Sequence, residues 1–297
     1  MQEVDLSVCF VNYNSGGYLA DCLLSLIELT AGISYEVIVV DNNSNDDSLE
    51  LAKTVNKDLI LIKNIQNVGF SAANNQAIRI SNGRHILLLN NDILLKNNVL
   101  KMLVEFQDSH PESGACGGKL ESPEGRIQNQ CKRGMPTPWN ILSHLLKLDN
   151  IFPSRKLFGG YLLTYLDPNV VNEVEAISGA CMMISRDALD KVKGLDEDFF
   201  LYGEDIDLCL RIRKSGWKIF YVPQARLIHY GEKGSRADVY NRICQYYRSM
   251  FIFYNKHYRA KYPFYVNWSV YAGISIIRSI HFIRVSFLRH SRVASKK

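Results

Sequence analysis

The sequence lacks the cysteine pattern of a zinc site or a disulfide framework: its seven cysteines are an odd number, form no Cys-x-x-Cys pair and mostly sit within apolar runs. They read as small buried hydrophobes in a reducing compartment. Proline is scarce, at 8 residues, while hydrophobic residues make up 47% and charged residues 22%, which excludes a disordered, collagenous or low-complexity chain. No repeat at solenoid or propeller spacing occurs, so the 297 residues suit one large α/β domain or two modest ones. No basic stretch followed by an apolar run opens the chain, so a secretory leader is not expected and the cytoplasm is the default compartment. Long hydrophobic runs are missing as well. The longest uncharged stretch, Tyr262 to Ile277, holds Pro263 and Asn267 and falls short of the ~20 apolar residues of a spanning helix, which favours a membrane surface over a membrane crossing. Acidic residues stop at Asp238. Residues 1–232 carry 22 Lys and Arg against 29 Asp and Glu, whereas residues 233–297 carry 13 against 1, so the two parts face different partners.

What is present begins with strand and helix signals in alternation. Leu6–Asn12, Glu36–Asp41, Leu59–Lys63 and His85–Asn90 are short apolar, β-branched-rich runs; Tyr18–Leu29, Ser71–Ile80 and Asn97–Phe106 show helical spacing between and after them. Strands separated by helices predict a mostly parallel sheet with covered faces, whose ligands bind beyond the carboxyl ends of the strands.

The residues at those ends are Asn12-Tyr13-Asn14, Asp41-Asn42-Asn43-Ser44, Asn67-Val68-Gly69-Phe70 and Asn90-Asn91-Asp92. Each cluster alone fits an ordinary turn or helix cap. Recurrence after every strand points instead to an edge built for hydrogen bonding to a ligand. The turn after the first strand, Val11-Asn12-Tyr13-Asn14-Ser15-Gly16-Gly17, is neither Gly-x-Gly-x-x-Gly nor a phosphate-binding P-loop, which disfavours nicotinamide redox chemistry and P-loop phosphoryl transfer. The fourth strand stops at a carboxylate, Asp92; a lone carboxylate beside a diphosphate is a usual way of holding Mg²⁺ or Mn²⁺.

The second half contains Phe199-Phe200-Leu201-Tyr202-Gly203-Glu204-Asp205-Ile206-Asp207, then Arg211, Arg213 and Lys214 before Gly216. Acidic residues at the start and basic residues at the end of a helix complement its dipole. The apolar run before Glu204-Asp205 goes further, because it reduces the solvation of the pair and raises a carboxylate pKa toward base-like values. On a helix, positions 205 and 207 point ~200° apart, so Asp207 is expected to pair with Arg211 rather than share a site with Asp205.

In its order, this set resembles the family 2 inverting glycosyltransferases of GT-A fold, which bind nucleotide-diphosphate sugars, and most of all the bacterial rhamnosyltransferase branch. The likeness covers roughly residues 5–237. It departs from the family where Asn90-Asn91-Asp92 stands in place of an Asp-x-Asp, leaving Asp92 for the metal and Asn90 for sugar or ribose. What the resemblance implies is a Rossmann-like α/β catalytic domain over 1–237, with a nucleotide-binding half to about residue 120 and an acceptor-binding half over 121–237. It implies Asp205 as general base, Glu204 as acceptor or leaving-group contact, and Asp92 with His229 as ligands of Mg²⁺ or Mn²⁺. The nucleotide sugar falls to Asn12, Tyr13, Asn14, Asp41, Asn43, Asn67, Gly69, Asn74, Asn90 and Asn91, with Lys233 and Arg236 on the diphosphate; Gly179, Ala180 and Tyr202 line the acceptor and sugar pocket. Asp41 is matched to the N3–H of uracil or thymine, and the donor it implies is dTDP-L-rhamnose, with UDP-hexoses second.

Past the resemblance, residues 238–297 form a basic, aromatic tail, with 12 aromatic residues among the 32 from Tyr240 to Tyr271. If Ser275–Arg292 is helical, Arg278, His281, Arg289 and Arg292 share one face and Ile276, Ile280 and Phe287 the other, as on a helix lying at an anionic membrane. A core helix packed on the catalytic domain is the bland counterpart. The expected partners are therefore a nucleotide sugar, a lipid-linked or polysaccharide acceptor and the inner membrane face, with no nucleic acid and with a homo-oligomer left open. A sugar nucleotidylyltransferase and a non-catalytic carbohydrate- or membrane-binding module remain as alternatives.

Overall fold

A computed structural model describes residues 4–231 and 239–294, with side chains to position 286. The chain runs β1 (Leu6–Asn12), α1 (Tyr18–Leu29), β2 (Tyr35–Asp41), α2 (Ser48–Val55), β3 (Ile60–Lys63), α3 (Phe70–Ile80), β4 (His85–Leu89), β5 (Ile93–Leu95), α4 (Val99–Ser109) and β6 (Ser113–Glu121). It continues through α5 (Pro138–Leu145), α6 (Leu148–Ile151), β7 (Asn172–Val174), β8 (Cys181–Ser185), α7 (Arg186–Val192), α8 (Glu204–Lys214), β9 (Lys218–His229), α9 (Val239–His257) and α10 (Phe264–Ala294). Among the described residues nine strands form one sheet, in the order β3-β2-β1-β4-β8-β6-β9-β5 with β7 paired to β9. The β3-β2-β1-β4 half is parallel throughout; β8 then runs antiparallel between β4 and β6, while β6 and β9 are parallel to each other. The α/β sheet with flanking helices is the one the sequence predicts.

The reasons are local. β1 and β4 are buried along nearly their whole length, as strands covered by helices on both faces must be. Helix α1 buries Leu19, Cys22, Leu23 and Leu26, the i, i+3, i+4, i+7 stripe of a helix lying on a sheet. Parallel alignment brings Asn12 of β1 level with Asp41 of β2, so the polar residues ending those strands come out side by side.

The packed core extends beyond residue 237. Phe253 and Tyr254 of α9 and Tyr258 just after it join the main hydrophobic cluster. They are held there by charge as well. The fully buried Asp207 accepts hydrogen bonds from Arg211 Nε at 2.7 Å and, if that ring nitrogen is protonated, from His257 Nε2 at 2.7 Å, with Lys256 Nζ at 2.8 Å. Burial alone would raise the Asp207 pKa, but the His257 hydrogen bond and the Arg211 and Lys256 charges outweigh it and hold the carboxyl down at about 2. The pairing of Asp207 with Arg211 read from helical spacing is present, and two residues of α9 complete it. Asp207→Asn should therefore lower stability to urea by an amount near the lower end of the ~3–5 kcal/mol of a broken buried pair, because Arg211 and Lys256 can rehydrate. An unchanged urea midpoint would contradict this account of the α8–α9 joint.

Helix α10 returns along α9, with the Tyr240 and Phe282 rings stacked at 5.9 Å. It contains the segment read as an amphipathic helix, with Ile276 and Ile280 exposed; the side chains of Phe287, Arg289 and Arg292 lie outside the described residues. Among the described residues no helix is long and apolar enough to cross a membrane.

Candidate active site

The edge where β1 and β2 end is a hydrogen-bonded bracket around Asp41. Asn12 at the end of β1 is buried; its amide nitrogen, with two N–H groups, lies within hydrogen-bonding distance of Asp41 Oδ1 (2.8 Å), Ser48 Oγ (2.9 Å) and Ser44 Oγ (3.1 Å), and its oxygen accepts from Ser15 Oγ (2.6 Å). Ser44 closes the bracket, its hydroxyl donating to Asp41 Oδ1 (2.7 Å) and its backbone N–H to Oδ2 (3.1 Å). A carboxylate offers about four acceptor directions. Among the described residues three are taken, which leaves one on Oδ2 for a donor such as an imide N–H. Asn12 thus supports Asp41 from beneath. Asn14 does the same for the next loop, accepting from the Asn45 N–H at 2.7 Å and donating its own N–H to Ser44 Oγ at 3.0 Å. Asn14 and Asn43 occupy the left-handed region, at φ 49° and 66°, which asparagine tolerates better than most residues. Tyr13 and Asn43 are exposed at the rim.

The Asn67–Phe70 turn joins this edge to the second half of the chain. The Asn67 carboxamide accepts the Gly69 N–H at 2.9 Å, and the Phe70 N–H donates to the Phe200 carbonyl at 2.7 Å. Gly69, at φ 90°, has no substitute here, since a Cβ would stand 2.7 Å from the Phe200 ring and 2.8 Å from its carbonyl. Asn74 is buried one turn into α3 and donates to the Phe70 carbonyl at 3.0 Å, so it braces the turn from within the helix.

At the end of β4 the Asn90 N–H donates to the Ala180 carbonyl at 3.0 Å, and Asn91 donates its side-chain amide to the Val11 carbonyl at 3.2 Å. Asp92 is nearly buried and faces His229, the last residue of β9, with Oδ1 to Nε2 at 3.4 Å. The contact has a defined polarity. Gln128 donates its amide nitrogen to the His229 carbonyl at 2.8 Å and thereby turns its own oxygen to His229 Nδ1 at 2.6 Å. That oxygen can only accept, so Nδ1 carries a proton, and in the neutral form of the ring the Nε2 lone pair points at a carboxylate. Two acceptors face to face form a good place for a cation, with the imidazole oriented through its other nitrogen as in most histidine–metal sites. Among the described residues no group of three or more His, Cys, Asp or Glu gathers around a common point, so any ion there would depend on a diphosphate and water for its remaining ligands.

The acidic start of α8 lies against the same edge. Asp205 Oδ2 accepts from Arg133 Nη2 at 2.6 Å and from the Gly179 N–H at 3.1 Å, while Oδ1 accepts from the Ile206 N–H at 2.8 Å. Among the described residues one acceptor direction remains, on Oδ1, and a substrate hydroxyl could use it. Gly179 is small for a reason: a Cβ there would come 3.3 Å from the Asp205 Cβ. Its neighbour Ala180 is the residue that holds Asn90, so one dipeptide ties the Asn90-Asn91-Asp92 edge to Asp205. Tyr202 sits at φ 71°, costly for a bulky side chain, and Gly203 follows at φ 83°. Strain of that kind persists where the surroundings fix it, as at binding sites. It turns the Tyr202 ring edge-on to Tyr246 of α9 at 5.8 Å.

Glu204 and Asp205 have opposite surroundings. Glu204 is buried and its Oε2 finds no partner among the described residues; loss of solvation raises its pKa, and the neighbouring Asp205 charge raises it further. A carboxyl raised in the fold adds stability below its ordinary pKa, and that stability is lost as pH climbs through the raised value. Glu204→Gln should therefore flatten the fall in urea midpoint from mildly acidic to mildly alkaline solution; parallel pH profiles for the two proteins would show that Glu204 is ionised in the fold.

Of the residues singled out in the sequence, Lys233 and Arg236 lie outside the described residues. Two others that shape the site, Arg133 and Gln128, had no sequence signal and act through long-range contacts that no local spacing announces; Phe200 was read only as part of the apolar run before Glu204, not as the partner of the Asn67–Phe70 turn.

A bracketed carboxylate, a carboxylate–histidine pair and an acidic helix start thus meet at the strand ends, and the family match and named relatives that follow make the chain a nucleotide-sugar-dependent glycosyltransferase. Residues 7–193 match the family model described as Glycosyl transferase family 2, and the chain belongs to that family. Residues 163–233 match the N-terminal domain of galactosyltransferase. Over 97% of its length the chain is 26% identical to the N-acetylglucosaminyl-diphospho-decaprenol L-rhamnosyltransferase of Mycobacterium tuberculosis, 95% of which it covers. It is 24% identical to the rhamnosyltransferase WbbL of Escherichia coli over 66% of its length and 78% of that protein. Among solved structures, S. aureus TarS aligns with a TM-score of 0.57 at 18% identity, over 88% of this chain and 41% of that one. GalNAc-T7 with UDP, GalNAc and Mn²⁺ aligns with a TM-score of 0.58 at 18% identity, over 77% and 44%. The fold is shared with both.

Proposed function

We propose that the protein is an inverting rhamnosyltransferase that moves L-rhamnose from dTDP-L-rhamnose to a hydroxyl of a lipid-linked sugar or growing polysaccharide. The observation that carries this reading is the Gly179-Ala180 dipeptide, which holds the donor-side Asn90 and the acidic Asp205 at one place. The relatives named as rhamnosyltransferases, one of them acting on a decaprenol-linked sugar, support the choice of sugar and acceptor.

Asp205 takes the proton of the acceptor hydroxyl on Oδ1, with Arg133 and the Gly179 N–H fixing Oδ2. The hydroxyl oxygen attacks the anomeric carbon from the face opposite the diphosphate, the bond from that carbon to the diphosphate breaks, and the nucleoside diphosphate leaves. Glu204, whose burial favours the protonated form, can in that form donate a hydrogen bond to acceptor or leaving group. Asp41 receives the thymine N3–H, the residues of the Asn67–Phe70 turn and Asn90 contact ribose or sugar, and Gly179, Ala180 and Tyr202 shape the acceptor pocket. Asp92 and His229 would hold Mg²⁺ or Mn²⁺, which supplies positive charge to the departing diphosphate. Lys233 and Arg236 add donors to the same phosphates. Of the tail beyond residue 238, whose α9 packs into the core, the exposed side of α10 rests on the inner membrane face, where Lys and Arg meet anionic lipid.

A UDP-hexose donor is the second reading, favoured by the galactosyltransferase-domain match over 163–233. Thermal unfolding with Mn²⁺ and each donor separates the two. The largest rise in Tm is expected with dTDP-L-rhamnose, and a larger rise with a UDP-hexose would replace the first reading by the second.

A further inference from the structure

Between Arg133 and β7 the chain leaves the sheet in an excursion that contains α5 and α6. It is built as a fixed body. Thr137 caps α5 by accepting the Asn140 N–H, Pro138 occupies the first turn, the Trp139 indole N–H donates to the Leu157 carbonyl at 2.8 Å, and Ser143 Oγ donates to the Phe158 carbonyl at 2.9 Å. Yet its outer surface is apolar. Leu146, Ile151 and Leu157 are exposed by 59%, 62% and 62%, and Trp139, Leu142 and Phe152 beside them are exposed as well. Scattered single exposed hydrophobes need no explanation, but these six with exposed Leu145, seven within nineteen residues on a rigid element, form a patch that calls for a partner.

The charges around it are of one sign. Lys147, Arg155 and Lys156 are exposed, and the only acidic residue between Gly134 and Leu166, Asp149, is buried against His144 Nδ1 at 2.6 Å. A second copy of the chain docking here by two-fold symmetry would set this basic rim against itself. An anionic bilayer complements both features, accepting the apolar side chains at the acyl boundary and the basic ones among the headgroups.

We infer that the α5–α6 excursion is a membrane-insertion surface, separate from the tail, that seats the acceptor half of the protein on an anionic lipid bilayer. The excursion is anchored beside the site: the Gly134 N–H donates to the Tyr161 carbonyl at 2.8 Å, closing its two ends together, and adjacent Arg133 is the residue bonded to Asp205. With the transferase reading above, on which this consequence rests, a bilayer-held acceptor would reach Asp205 without leaving the membrane surface.

The test is co-sedimentation of the full chain with vesicles of equal parts phosphatidylcholine and phosphatidylglycerol, in low and high salt. Salt screens the attraction of basic residues to lipid but does not release inserted apolar side chains. Wild type should keep a salt-resistant bound fraction. The triple variant Leu146→Glu, Ile151→Glu, Leu157→Glu changes only exposed side chains and should keep the wild-type Tm, while its vesicle affinity in high salt falls at least about tenfold, since each such side chain left in water counts for roughly that factor. The α10 variant Phe264→Ser, Trp268→Ser should retain the salt-resistant fraction. The inference is overturned if the triple variant binds like wild type, if wild type shows no salt-resistant binding, if only the α10 variant loses it, or if light scattering shows that the triple change converts a dimer to a monomer. Vesicle binding is read without donor, and Asp205→Asn should bind vesicles as wild type does, so failure here and failure of the transferase reading are separate results.

Discussion

Asp205→Asn is expected to leave donor binding intact and to reduce transfer by at least the ~10²–10⁴-fold that a general base contributes. The exchange keeps the shape of the side chain. Its oxygen can still face Arg133 and the Gly179 N–H, so the Gly179-Ala180 link to Asn90 should survive, at the cost of the bond that Oδ1 accepts from the Ile206 N–H in the first turn of α8. What is lost is the Oδ1 acceptor able to take a proton. The loss should fall on kcat with the donor KM little changed, the pattern of an interaction used only in the transition state. A matching loss of donor affinity would place Asp205 among the nucleotide contacts instead. Arg133→Gln provides the companion measurement: it removes the ion pair that fixes Oδ2 while leaving the carboxylate, so kcat should fall with the donor KM little changed and Arg133→Lys should recover part of the loss, a pattern that a purely structural role would not produce.

Asp92→Ala should be nearly as severe, with turnover falling by orders of magnitude and with excess Mn²⁺ or Mg²⁺ failing to restore it. His229 remains oriented by Gln128 in that variant, but its Nε2 has lost the carboxylate that faces it at 3.4 Å. One imidazole is a poor site for a hard divalent ion, which prefers oxygen ligands. Mn²⁺ binding followed by electron paramagnetic resonance in the presence of nucleoside diphosphate should weaken in step with activity. Near-wild-type turnover of the variant in a chelator would show that transfer does not use this carboxylate to hold an ion.

The parts of the fold that were legible in the sequence are those determined by local pattern. β1 and α1 lie where apolar runs and helical spacing put them, because a strand covered on both faces and a helix lying on a sheet each impose a period on their own residues. The Asn-rich strand ends were legible for a related reason, since parallel strands deliver their carboxyl ends to one edge. Arg133 was not. It sits in a loop without periodicity, one of 35 basic residues, and only the folding of that loop against α8 singles it out. Gln128 is hidden in the same way, its meaning set by a histidine about a hundred positions later. Helix α9 shows a different limit. Its aromatic and basic composition reads as a surface for lipid, yet Phe253 and Tyr254 pack into the core and His257 reaches Asp207. An amphipathic helix has the same pattern whether its apolar side meets a bilayer or another part of the protein. Exposed leucines in α5 and after α6 carry the complementary lesson, because no pattern in the sequence singled that segment out and only the fold shows its apolar side chains left uncovered.

The most direct test is transfer of labelled rhamnose from dTDP-L-rhamnose to a polyprenyl-diphosphate-linked N-acetylhexosamine, with Mn²⁺ or Mg²⁺ present. The account predicts a lipid-extractable rhamnosylated product with inverted anomeric configuration, formed with stoichiometric release of dTDP and lost in Asp205→Asn. Retention of configuration, or turnover of a UDP-hexose while dTDP-L-rhamnose is left untouched, would contradict it.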